Sequence, residues 1–205
     1  MEYLIHEFIL LWAVIDPIGT VPVFLAVTAS MDASLSRRTA FKAVFIAAMV
    51  LVFFVVAGQL LMESMGIPLP AFEIAGGIVL FIFALTMIFG ESKPEEEIHL
   101  IEKGAATAVF PLAIPSIASP GAMMAVVMLT DNHRYSIGEQ FVTSMLVMAV
   151  LAITLVLLLL AGPIKRVIGD AGASIISRVM GLILASVAVN AVLSGISTHF
   201  GLATM

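Results

Sequence analysis

Two stretches of this chain, 104–130 and 141–164, run for 27 and 24 residues without a single charge. A helix needs about 20 mostly apolar residues to cross the hydrocarbon of a bilayer. Six segments meet that length: 4–29, 39–62, 68–89, 105–130, 138–160 and 177–197. They are apolar all round rather than along one stripe, which favours helices immersed in lipid over helices lying on a surface. They do not alternate polar and apolar residues as barrel strands do. With 61% hydrophobic and 11% charged residues, against roughly 25% charged in a soluble domain, the chain reads as an all-α integral membrane protein. Its 205 residues form one transmembrane domain. There is no cysteine, which removes disulfides, thiolate nucleophiles and cysteine metal sites. No basic and aromatic cluster points to nucleic acid. The N-terminus carries Glu2 and Glu7 instead of a basic leader region, so the first apolar segment is expected to be a retained span.

Prolines interrupt two of the six segments in the same way. Pro17 and Pro22 recur as Pro115 and Pro120, both 98 residues later. Proline removes a backbone donor and clashes with the preceding turn. Unpaired backbone groups in hydrocarbon cost several kcal/mol each, so an interrupted helix persists at membrane depth only where protein or water covers it. Interruptions in matching positions of a duplicated chain point to a transporter's substrate site. The alternative is that the prolines merely kink two spans; the identical five-residue spacing argues against it.

Further spacings suggest duplication. Gly58 and Gly162, Gly77 and Gly181, and Thr86 and Asn190 are each separated by 104 residues. A three-span unit has its ends on opposite faces of the membrane, so its copy inserts upside down. The expected architecture is therefore two inverted three-helix repeats, 1–90 and 104–205, joined by the polar linker 91–103, with the first and fourth helices broken at prolines. Lysine and arginine set the orientation. With six spans, Arg37, Arg38, Lys42, Lys93, Lys103, Lys165, Arg166 and Arg178 fall on one side and Arg134 alone on the other. The first side is expected to be cytoplasmic, with both termini outside.

Asp16 is the only charge between Glu7 and Asp32. An acid near the centre of a span is costly and is a functional candidate by default. It suits a substrate ammonium or a coupling proton, and equally it suits the start of a second half-helix, since Asp before Pro caps well. Gly19, Thr20, Ser116, Ser119 and Gly121 flank the four prolines. Glycine lets a backbone approach a ligand closely, and hydroxyls pair freed backbone groups or a polar substrate. Half-helix N-termini suit a carboxylate, while an aspartate and half-helix C-termini suit an ammonium. Together these groups suit a small zwitterion. Thr86 and Asn190, the polar residues deep in the third and sixth spans, line the same cavity or make interhelical hydrogen bonds. Ser144, Thr154, Ser186 and Ser194 are expected to bond neighbouring helices. Gly76, Gly77 and Gly181 are expected to permit close packing. Glu73 is expected at the outer interface. His6, His99, His133 and His199 lie at span ends or in loops without metal-ligand spacing, so neither a metal, another cofactor nor an enzyme's catalytic pairing is expected.

The pieces 16–25 (DPIGTVPVFL), 57–62 (AGQLLM), 72–78 (FEIAGGI), 110–116 (FPLAIPS) and 176–181 (ISRVMG) resemble the MarC/SnatA family of bacterial and archaeal inner-membrane proteins, over essentially the whole chain. The family is named for a multiple-antibiotic-resistance locus. Characterised members transport small neutral amino acids such as glycine and alanine, and the wider group includes lysine exporters. The resemblance implies amino-acid transport through the broken first and fourth spans. Relatives carry Asp-Pro or Asn-Pro where this chain has Asp16-Pro17, so an acid is not required there. A Gly-Pro-Gly is common where this chain has Ser119-Pro120-Gly121, which adds a hydroxyl to the expected site.

The leading expectation is a secondary transporter in the cytoplasmic membrane that moves small neutral amino acids (glycine, alanine, serine) by alternating access, with proton or sodium coupling open and Asp16 the candidate for it. The rivals are a passive channel, an exporter of another small metabolite, drug or divalent metal, and an intramembrane enzyme. The channel lacks a continuous polar stripe, the metal exporter would need several intramembrane carboxylates where the chain has one near mid-depth, and the enzyme lacks catalytic partners. Homo-oligomers are common among small inverted-repeat membrane proteins, and no residue decides the matter here.

Overall fold

The computed structural model describes residues 2–29, 31–89, 110–132 and 134–201. The expected linker 91–103 and the first residues of the expected fourth span lie outside the described residues. The described elements are all helical: α1 Glu2–Ile15, α2 Thr20–Val27, α3 Ala33–Ser64, α4 Leu69–Phe89, a six-residue π-helical stretch Leu112–Ile117, α5 Pro120–Leu129, α6 Ile137–Leu159 and α7 Ala161–Phe200.

Five segments among the described residues are long and apolar enough to cross a membrane: Tyr3–Val27, Ala33–Leu60, Pro70–Phe89, Ile137–Leu159 and Ser174–Phe200. They match five of the six expected spans to within a few residues. The exception is the fourth, whose described part is the π-helical stretch followed by α5, an apolar helix of only ten residues.

Local chemistry explains the boundaries. Helix α3 begins six residues earlier than the hydropathy-based start, because Asp32 accepts from the Leu35 amide at 2.7 Å and its carbonyl accepts from Ser36 at 2.9 Å. A cap of this kind starts a helix regardless of the polarity of its first turns. Helix α6 opens on a reciprocal capping box, in which the Ser136 hydroxyl accepts from the Glu139 amide and the Glu139 carboxylate accepts from the Ser136 amide. Within α7 the helical path is interrupted at Gly169, at φ +66° and ψ 173°, a conformation open chiefly to glycine.

The core is built around the first crossing. In Tyr3–Val27 about 67% of the apolar window is buried, against 28–33% in the other four. Leu11, Val14, Ile15 and Val23 pack with Leu112, Ile117 and Val126 at the centre. Helices α3, α4, α6 and α7 surround them and turn residues such as Phe45, Val56, Ile82 and Val156 outward. Apolar outward faces of this extent are what acyl chains require of a protein surface.

Helix α4 packs antiparallel against the C-terminal half of α7. A Cβ on Gly77 would lie 2.8 Å from the Ala188 carbonyl oxygen, one on Gly181 would lie 3.1 Å from that of Ala84, and one on Gly195 would lie 2.9 Å from that of Pro70. Small residues allow such backbone approach between helices in lipid. Gly76 likewise meets Met124 of α5. The other 104-residue pair behaves differently: Gly58 is pressed against the Val127 side chain, whereas Gly162 has nothing within 4 Å.

Candidate functional site

The two proline-bearing segments meet in the core, and the residue before the first member of each repeated proline pair, Pro17 and Pro115, leaves the right-handed helical region. Asp16 has φ +49°, and Ile114 has φ −136° and ψ 125°. Proline disfavours the α conformation in the residue before it. Asp16 and Ile114 are separated by 98 residues, the spacing of the proline pairs. Both Phe110–Pro111 and Ile114–Pro115 are cis.

Asp16 is fully buried and holds the turn between α1 and α2 together. Its Oδ1 accepts from the Gly19 amide at 3.0 Å, and its carbonyl accepts from both the Thr20 hydroxyl at 3.0 Å and the Thr20 amide at 3.1 Å. Asp and Asn tolerate positive φ better than most residues because a short polar side chain bonds locally. A short polar side chain that accepts from the Gly19 amide suits this positive φ.

Hydroxyls of the second segment reach across to the first. Ser116 Oγ donates to Thr20 Oγ1 at 3.1 Å, and both residues are fully buried. Ser119 Oγ donates to the Val14 carbonyl at 2.9 Å and accepts from the Ala122 amide at 3.0 Å, so the residue that caps α5 also ties α5 to the end of α1. The Val14 carbonyl lies in the last turn of α1, where acceptors have no intrahelical partner. The chain thus satisfies the backbone groups that the prolines free by using Thr20 and Ser119, and links the two segments while doing so. Pro17, Gly19 and Pro22 are buried beside this junction, Pro115 is half-buried, and Pro120 is exposed at the first turn of α5. Gly121 lets α5 approach α4, since a Cβ there would meet Leu80 and Phe83 at 3.2 Å.

Thr86 and Asn190 do not join this cluster. Thr86 donates to the Phe83 carbonyl of its own helix at 2.8 Å. Asn190 lines a separate, laterally open cavity of about 590 Å³ bordered by α1, α4, α5 and α7, with Ser186 and Asn190 exposed along its α7 edge. That cavity has polar groups at one end, including His6, Glu73, Arg134 and Ser194, and an apolar floor that includes Ala13, Leu80, Ala125 and Leu184. The expected interhelical bonds of three hydroxyls are also replaced by bonds within their own helices: Ser144 donates to Gln140, Thr154 to Val150 and Ser186 to Leu182. Within a regular α-helix a serine or threonine hydroxyl can bond the carbonyl one turn back, whereas an interhelical partner must be supplied by packing.

Three buried acids beyond Asp16, namely Glu7, Glu73 and Asp131, were not singled out by the sequence as parts of a site. Glu73, expected at the interface, is buried and takes both outer nitrogens of the Arg134 guanidinium at 2.8 Å. The signal was available: Arg134 is the lone cation on its side of the expected topology, and Glu73 falls on that side. Glu7 is buried against Thr143 of α6, whose hydroxyl donates to its carboxylate at 3.2 Å.

Residues 1–200 match the family described as MarC family integral membrane protein. A UPF0056 membrane protein of Methanocaldococcus jannaschii is 35% identical, over 96% of this chain and 97% of its own length. The UPF0056 membrane protein YvbG of Bacillus subtilis is 33% identical over 99% and 98%, and one from Buchnera aphidicola of Schizaphis graminum is 30% identical over 98% and 99%. No solved structure matches. With the resemblance seen in the motifs now matched along nearly its whole length, the chain belongs to the MarC family of integral membrane proteins.

Proposed function

We propose that this chain is a secondary transporter of small neutral amino acids in the cytoplasmic membrane, built as two inverted three-helix repeats whose first and fourth helices break at mid-depth. The observation that carries the reading is the junction of the two proline-bearing segments, where Ser116 bonds Thr20 and Ser119 bonds the end of α1 in the buried centre. Two interrupted helices that meet supply hydroxyls, carbonyl ends and amide ends within reach of one small molecule.

The inverted repeat is supported by packing as well as spacing. Equivalent helices related by a twofold axis in the membrane plane run antiparallel, as α4 and α7 do. The 104-residue shift converts the approach of Gly77 to Ala188 into that of Gly181 to Ala84. The same exchange relates the packing of α4 on α5 to that of α7 on α2, and of α1 on α6 to that of the π-helical stretch on α3.

In this conformation the junction is closed upon itself. The Gly19 and Thr20 amides are held by Asp16, the Ala122 amide by Ser119, and the Ser116 hydroxyl by Thr20. These are the groups a carboxylate would use. Substrate entry then means exchanging bonds within the junction for bonds to substrate, which keeps every buried polar group paired throughout. No residue of the chain forms a nucleotide-binding motif, so the driving force is a gradient of substrate or ion.

Counterflow of labelled glycine and alanine in proteoliposomes tests the reading. Saturable exchange that falls sharply in Thr20→Val is the expected result. Flux that does not saturate marks a channel, and no flux of any neutral amino acid refutes the substrate class. Imposed proton and sodium gradients identify the coupling ion.

A further inference from the structure

The 590 Å³ cavity is not the junction, and its chemistry is of another kind. At its mouth stands the bidentate pair of Arg134 and Glu73, one partner 36% and the other 5% exposed at the side chain. Down one wall runs α7. Between Val179 and Ile196 that helix has three polar side chains, Ser186, Asn190 and Ser194, spaced four residues apart. Residues four apart share a helix face, and all three line the cavity. The antiparallel register of α4 and α7 sets Ser194 level with Glu73 and Ser186 near the level of Leu80. The stripe therefore descends about 12 Å, at about 1.5 Å per residue. Its lower end faces the floor residues Ala13 and Ala125, which belong to α1 and α5, the helices tied together by Ser119.

Resting on the proposed transport function, we infer that this cavity is a second binding site, at which a zwitterion is captured before it reaches the junction. Arg134 takes the carboxylate, Glu73 takes the ammonium, and the serine–asparagine stripe carries the polar end inward. Charge selects the ligand. The pair is neutral as a whole, so a zwitterion can part it and still leave each charge with a counter-charge. An anion that drew Arg134 away would strand Glu73, buried and unpaired, and an isolated buried carboxylate is strongly unfavourable. The planar fork of arginine also fits a carboxylate in two parallel bonds. The orientation expected from lysine and arginine puts this mouth on the outer face.

The chain has no cysteine of its own, so single thiols report on the cavity directly. Ser194→Cys, in the wall, and Met65→Cys, an exposed control beyond the cavity, are reconstituted in proteoliposomes and labelled with a membrane-impermeant thiol reagent. Alanine at saturating concentration is expected to slow labelling of Ser194→Cys several-fold and to leave Met65→Cys unchanged, whereas propionate and ethylamine protect neither. Glu73→Gln and Arg134→Lys, each added to Ser194→Cys, are expected to abolish protection and to raise the KM for alanine about tenfold with a smaller change in kcat, in line with a charged hydrogen bond. Alanine transport without protection of Ser194→Cys overturns this inference and leaves the transport reading standing. Protection by propionate alone, or protection that survives both charge variants, overturns it as well. Absence of both transport and protection sinks the two together. The protection assay on Ser194→Cys leaves the ion pair intact, so the outcome does not hang on whether Glu73→Gln folds.

Discussion

Replacing Thr20 by valine removes one oxygen, keeps the shape of the side chain, and removes one hydrogen bond between the segments and one within the first. Thr20 Oγ1 is an acceptor for Ser116 at 3.1 Å and a donor to the Asp16 carbonyl at 3.0 Å. The carbonyl keeps the Thr20 amide as a donor, but the Ser116 hydroxyl, fully buried, loses its acceptor. An unsatisfied buried group costs about 1–3 kcal/mol. Ser116→Ala alone leaves Thr20 still bonded to Asp16 and should cost less, about 0.5–1.5 kcal/mol. The double variant strands no hydroxyl, so it should be more stable than the sum of the singles predicts. Hydrogen bonds between membrane helices measured by double-mutant cycles average about 0.6 kcal/mol and reach about 1.7. The coupling is therefore expected at about 0.6–1.7 kcal/mol, read from reversible unfolding in mixed micelles. Thr20→Ser, which keeps the oxygen, should retain most of the coupling. Additivity of Thr20→Val and Ser116→Ala within error would refute the claim that this bond joins the two segments.

Other outcomes rest on single contacts. Asp16→Asn preserves an acceptor for the Gly19 amide and a residue type suited to positive φ, so its stability should stay within about 1 kcal/mol of the parent, whereas Asp16→Leu loses both and should cost about 1–3 kcal/mol; thermal unfolding in detergent compares them, and equal losses would mean the charge itself is needed. Ser119→Ala removes the cap of α5 and its tie to Val14, with an expected cost of about 0.5–2 kcal/mol, and Ser119→Asn should recover part of it. Gly77→Ala drives a methyl against the α7 backbone, and the about 1–3 kcal/mol of overpacking should outweigh the roughly 1 kcal/mol gained in helix propensity. Gly162→Ala, with open space around it, should be neutral or stabilising; a loss as large as that of Gly77→Ala would contradict this packing.

Five of the six expected spans were legible because hydropathy is a property of each residue and the bilayer applies it uniformly over a fixed thickness. Boundaries set by polar caps were not, as at Asp32, where the helix begins in sequence that hydropathy reads as loop. The proline positions announced where helices α1 and α2 part, since the constraint on the preceding residue is covalent and local. Close packing at Gly77 and Gly181 was also anticipated, because absence of a side chain has few other uses in an apolar helix.

Which polar residues meet was a different matter. Thr86 and Asn190 occupy corresponding places in sequence, yet one bonds its own helix and the other faces a cavity. Glu73 and Arg134, 61 residues apart, carry no local mark of partnership. A hydroxyl or a charge can be satisfied by its own turn, by a neighbour or by water, and sequence spacing does not choose among them. The amino-acid order by itself determined that this chain lies in lipid and which backbone positions proline constrains, because those follow from side-chain transfer energies and from the geometry of proline. Tertiary packing alone decided that Ser116 reaches Thr20 and that Arg134 closes on Glu73, because a hydrogen bond forms only between groups brought within about 3 Å, and only the folded chain sets that distance.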